Sequence, residues 1–138
     1  MKSAQYASRV LEAYEDEVAG AAYFDGLASA YPQQAVFFEK CAALERATAS
    51  QLSALIRKYQ LTPRAQTTLE ECGALDASKV VGGDWRELML QSIRSYARYV
   101  ADFKALEAVG PTEDQPILAA LTAHEVQLIE WMRAEIGS

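Results

Sequence analysis

An all-α domain of four long helices is what this sequence predicts, on three observations. Apolar residues recur at every third or fourth position in four separate stretches. Hydrophobic residues make up 51% of the chain, many of them alanine. Only four prolines and seven glycines punctuate 138 residues, a length that suits one domain spanning 1–138 with a sizeable core.

The first helix is expected over about 3–30, because Val10, Tyr14, Glu17, Ala21, Phe24 and Ala28 share one face while Arg9, Glu12, Asp16 and Ser29 lie elsewhere. Tyr31-Pro32 interrupts it: proline disfavours helical geometry in the residue before it and suits a first helical turn itself, so a tight corner follows. The second helix, about 32–59, carries the stripe Phe38, Cys41, Glu45, Thr48, Leu52, Leu55 and Tyr59. So short a connection makes these two helices an antiparallel hairpin.

Between residues 60 and 83 the periodicity weakens, and Pro63, Gly73, Gly82 and Gly83 mark turns, leaving only 67–72 as a short helical turn. Helices in a compact bundle are ordinarily joined by about two to eight residues. Fully extended, this segment reaches about 80 Å, whereas a helix of some 27 residues is about 40 Å long, so a crossover running the length of the bundle is expected. The third helix, about 84–108, has the clearest start, with Asp84 as N-cap and Glu87 completing an Asp-type capping box. Its stripe reads Trp85, Leu88, Ser92, Tyr96, Tyr99, Phe103 and Leu106 before Gly110-Pro111 stops it. The fourth, about 114–136, tolerates Pro116 in its first turn and continues through Leu118, Leu121, Glu125, Leu128 and Met132. A faint internal repeat, placing Phe38 on Leu118 and Glu45 on Glu125, agrees with two helical hairpins joined by a crossover.

Charge and termini exclude several classes of function. The net charge of −6 comes with no basic run and no aromatics interleaved with Lys or Arg, so neither nucleic acid nor an anionic membrane surface is an expected partner. Residues 1–7 contain no apolar signal-like core, and no stretch approaches about eighteen uncharged apolar residues, so a soluble, cytoplasmic protein is expected. Cys41 and Cys72 form no CxxC pattern and read as buried free thiols. Ser92 reads as a packing residue, since no base stands at catalytic spacing from it. No Gly-rich phosphate loop is present, because Asp84 already puts negative charge at the helix that Gly82-Gly83 precede.

The one functional clue is a set of glutamates inside apolar stripes. Glu17, Glu45 and Glu125 each fall near the middle of a helix of similar length, and in an antiparallel bundle such midpoints share a level. With Tyr96 they are expected to converge on one polar layer. An isolated ionised carboxylate there costs several kcal/mol even after relaxation (about that order), so it must be paired, protonated or bound to a cation. Arg46 and Arg94, the nearest basic residues, point away from the stripes at about 100° per residue. His124, the only histidine, sits at the edge of the same face, so Glu17, Glu45, His124 and Glu125 make a candidate set of ligands for one divalent ion. The structural reading is equally concrete: His124 as a hydrogen-bonded core residue, and the glutamates sharing protons with each other and with Tyr96.

The layout resembles the ferritin-like superfamily, four-helix bundles of two antiparallel hairpins with a long crossover between helices 2 and 3. Glu17 and Glu45 stand where that family has its first- and second-helix glutamates, and Leu121-Thr-Ala-His124-Glu125 is similar to its fourth-helix ligand region. The resemblance implies iron or manganese held between the helices. Typical members pair Glu-x-x-His on helices 2 and 4. Here Thr48 stands where the second-helix histidine would be, Leu128 where the fourth-helix one would be, and helix 3 offers Tyr96 in place of a glutamate. A reduced site for one metal with a redox-related role is therefore one expectation, lined also by Thr48 and Tyr96. The other is a metal-free helical module serving oligomerisation or protein–protein contact, for which the Ala19, Ala22 and Tyr23 face suits pairing as a homodimer across a two-fold axis.

Overall fold

The computed structural model describes residues 3–137, and among them every regular element is a helix. In chain order these are α1 (Ser3–Ala30), α2 (Ala35–Lys58), α3 (Gln66–Val80), α4 (Trp85–Val109) and α5 (Gln115–Gly137). Single 3-10 turns, Pro32–Gln34 and Thr112–Asp114, lead into α2 and α5. None of the described helices is long and apolar enough to cross a membrane. The expectation for the extreme N-terminus rests partly on Met1 and Lys2, and that for the whole span 1–138 also on Ser138, which lie outside the described residues. The chain divides into two compact units, residues 1–82 and 83–138.

In the first unit α1 and α2 form a hairpin turned at Tyr31-Pro32. The Tyr31 amide donates to Leu27 O at 2.9 Å to close α1, and Pro32 opens the 3-10 turn, which needs no amide there. On α2, every residue of the expected stripe is buried except Tyr59. Phe38 is fully enclosed at the turn end: its ring centroid lies 6.4 Å from Phe24, 5.3 Å from Phe37 and 6.1 Å from Tyr31. Each such side chain contributes about 1.5–3 kcal/mol by leaving water. On α1, Ala13 is buried while Tyr14 is only half-buried, so the contact face is rotated slightly from the expected one.

The segment 60–83 departs from expectation. Where an irregular crossover with one turn at 67–72 is expected, the chain forms α3, a 15-residue helix packed on α1. Its buried residues are Leu69, Gly73 and Ala77, one per turn, a stripe too small to register as hydrophobic periodicity. Gly73, which reads as a breaker in sequence, allows a close approach instead. A β-carbon there would run into the Ala19 carbonyl oxygen and stand 3.0 Å from the Tyr23 nitrogen. A β-carbon on Gly26 would likewise stand 2.7 Å from Ala77 Cβ. The narrow stripe also corrects the reading of the second cysteine: Cys41 is buried in α2, but Cys72 is exposed on α3.

In the second unit α4 and α5 pack on each other. The Asp84 side chain accepts from the Arg86 amide at 3.4 Å, the N-cap the sequence predicts. The α4–α5 corner is tied by Gln115, whose side-chain amide donates to Glu107 O at 2.7 Å and Gly110 O at 2.8 Å, satisfying carbonyls that the end of α4 leaves open. Leu88, Ser92, Phe103 and Leu106 are buried as expected on α4, but Trp85 and Tyr96 are half-buried and Tyr99 is exposed. These amphipathic rings pack along the helix surface, Tyr96 on Tyr99 at 5.7 Å and Tyr99 on Phe103 at 6.2 Å. All five residues of the expected α5 stripe are buried.

Candidate functional site

Burial of the three stripe glutamates is as the sequence demands: Glu17 is 4% exposed, Glu45 6% and Glu125 5%. Glu17 and Glu45 belong to the first unit, and Tyr96, His124 and Glu125 to the second. Within the first unit, α1 and α2 approach with Gly20 beneath the Glu45 carboxylate, whose Oε1 would lie 3.1 Å from a β-carbon at that position. Glu17 is on α1 one turn before Gly20, so the tip of Glu45 reaches α1 next to the turn that carries the other acid. A glycine in a helix interior costs about 1 kcal/mol relative to alanine, which is the sequence signal that something packs closely there.

Thr48, one turn after Glu45, is buried and donates its hydroxyl to Leu44 O at 2.9 Å. Arg46 is exposed and pairs with Asp25, as its position off the stripe predicts. Arg94 is exposed too. Ser92 donates to Leu88 O at 2.8 Å, which accounts for a buried hydroxyl by packing.

In the second unit Glu125 lies within the α5 stripe, between Leu121 and Leu128. His124 is half-buried at the stripe's edge, and loss of water around it lowers its pKa from the ordinary 6.5, favouring the neutral imidazole. Thr122, also buried, donates to Glu107 Oε1 at 3.0 Å and to Leu118 O at 3.2 Å, linking α5 to α4. One buried acid escapes the sequence reading: Asp114 is 1% exposed. It ends the 3-10 turn leading into α5, where the helix's first amides and its dipole favour a carboxylate. Its only sequence signal is its place just before a helix, which many exposed caps share.

Among the described residues no three His, Cys, Asp or Glu side chains are grouped so as to hold a metal ion. Nor does any fully enclosed side-chain nitrogen or oxygen among them lack a hydrogen-bond partner. Buried acids are ordinarily satisfied in this way by protein groups. No family model matches this chain, and neither a curated protein nor a solved structure does.

Proposed function

We propose that the chain is a metal-free helical interaction module, a ferritin-like arrangement of two hairpins that works through its helix faces as a homodimer and not as an enzyme. The observation that carries this reading is the apolar side chains that the helices leave in water, Val36 at 82% exposure on α2 and Leu75 at 57% on α3. The Ala19 and Tyr23 face of α1 is filled within the chain by α3, so a second copy would meet these exposed side chains instead, each copy offering the same ones across a two-fold axis. In this reading Glu17, Glu45 and Glu125 are buried packing determinants, hydrogen-bonded and partly protonated, and fix which helix faces meet. Net charge −6 argues against nucleic acid and anionic lipid as partners. The free thiols of Cys41 and Cys72 suit the reducing cytoplasm, where we place the protein.

A second reading keeps one iron or manganese ion at Glu17, Glu45, His124 and Glu125, and is favoured by the burial of three carboxylates at 4–6% exposure. One experiment separates the two. Protein purified after growth in iron-rich and in manganese-rich medium is analysed for metal and by light scattering, alongside Glu45→Gln. The module reading expects substoichiometric metal in both media, a dimer, and an unchanged mass for Glu45→Gln. About one equivalent of iron or manganese, lost in Glu45→Gln, overturns it.

A further inference from the structure

The second unit keeps most of its positive charge on one helix. Residues 83–138 carry nine acidic and five basic side chains, and four of the five basic ones are on α4. Arg86 is engaged, donating to Ile136 O at the end of α5. The other three, Arg94, Arg98 and Lys104, are exposed. At about 100° per residue they fall within one arc of α4, together with Leu90 at 41% exposure and the exposed Ala97 and Ala101. This arc lies opposite the buried stripe of Leu88, Ser92, Phe103 and Leu106.

A solvated helix face ordinarily balances its charges with an opposite one three or four residues away. The outer face of α4 does the reverse. Arg94 and Arg98 stand one turn apart, a like-charge spacing that weakens a helix. Among the described residues neither of them nor Lys104 has an acid within ion-pair reach, not even Asp102, four residues after Arg98. Glu107, three residues after Lys104, accepts from Thr122 instead. The first unit shows the usual outcome: Arg46 pairs with Asp25, Arg64 with Glu15 and Lys79 with Asp76.

The three cations span about 15 Å of helix, with a leucine at one end. Carboxylates at helical spacing would neutralise them, and an apolar side chain beside those carboxylates would cover Leu90. A nucleic acid or an anionic membrane spreads its charge far beyond this arc and would also meet the unit's nine acidic side chains. A short segment meets the arc alone, since exposed charges more than about 8 Å away are largely screened at physiological salt.

We propose that the outer face of α4, formed by Leu90, Arg94, Arg98 and Lys104, docks a short acidic, amphipathic helical segment of a partner protein. The two guanidinium groups hold its carboxylates through forked hydrogen bonds, and Leu90 receives its apolar side chain. This contact is separate from the homodimer proposed above and does not depend on it.

Fluorescence anisotropy on the full chain tests the assignment with a labelled amphipathic peptide of glutamate, leucine and alanine whose glutamates stand one turn apart. The peptide is expected to bind at about 0.05 M salt and about 10-fold or more weakly at about 0.3 M. Arg94→Glu with Arg98→Glu is expected to weaken binding about 10-fold or more, whereas Arg57→Glu with Lys58→Glu, the same change of net charge at the exposed end of α2, leaves it within about 2-fold. Arg94→Gln with Arg98→Gln is expected to lose the peptide while keeping or raising the thermal midpoint, which separates lost docking from lost folding. Three outcomes each overturn the proposal: no binding of the peptide, equal losses in the α4 and α2 variants, or tighter binding of the same arginines to a single-stranded oligonucleotide or to phosphatidylglycerol vesicles.

Discussion

Asp16 and Tyr23 sit two turns apart on α1, and both are weaker acids in the folded chain than in the unfolded one. Asp16 still touches water, yet the surrounding protein and the charges of Glu12 and Glu15 raise its pKa from 3.8 to about 6, with Arg64 pulling the other way. An acid of this kind favours the folded state while protonated, so its contribution is full below the unfolded value and disappears as pH rises from about 4 to about 6. The stability difference between Asp16→Asn and the parent, read from urea midpoints, should therefore move in favour of the variant across that interval and stay level above it. Tyr23 is pushed from 10.0 to about 12, chiefly by burial, then by Asp76 and Tyr31. Its phenol stays neutral in the folded state, so the parent should lose stability between pH 10 and pH 12 relative to Tyr23→Phe, which has nothing to ionise. His124 has the opposite sign: its lowered pKa favours the folded state above the ordinary value, and that contribution is lost as pH falls.

Two glycines on the helix interfaces predict opposite outcomes for the same substitution. At Gly73 an added methyl meets the Ala19 carbonyl, which belongs to a helix backbone and cannot turn aside, so α3 must shift. Gly73→Ala should cost about 1–3 kcal/mol in urea unfolding, the usual range for overpacking, despite the better helix propensity of alanine. At Gly20 the neighbour is the end of the Glu45 side chain, 3.1 Å from the added carbon, and a few tenths of an ångström of rotation relieve it. Gly20→Ala should be neutral or stabilising by up to about 1 kcal/mol, because the entropy saved in the unfolded chain is not offset. A destabilisation equal to that of Gly73→Ala would show that Glu45 cannot move and that its carboxylate is fixed by more than packing. The same pair explains what could be read in advance. Stripes of large apolar residues announce α1, α2, α4 and α5, whereas α3 docks through Leu69, Gly73 and Ala77, and small residues leave almost no periodic signal.

For the chain as a whole, the division into residues 1–82 and 83–138 places an exposed, glycine-rich join at Gly82-Gly83, with Gly82 at a φ of 100°. Limited proteolysis should cut first there, because a protease needs several residues of exposed backbone outside a helix. Initial cuts inside α1 or α2, seen by mass spectrometry of the early fragments, would contradict the placement of the core.

The sequence by itself determined the helices that carry large apolar stripes, the corners at Pro32 and Pro111, the cap at Asp84, and the burial of Glu17, Glu45 and Glu125. These are local properties: periodicity, backbone restriction and the cost of leaving an apolar face in water act over one or two turns. The tertiary structure alone decided that residues 66–80 are a helix lying on α1, that Cys72 faces out, and that Gly20 lies under a carboxylate. Each of these depends on how closely two backbones approach across a contact, a distance set by what stands opposite and written nowhere in the spacing of a single helix.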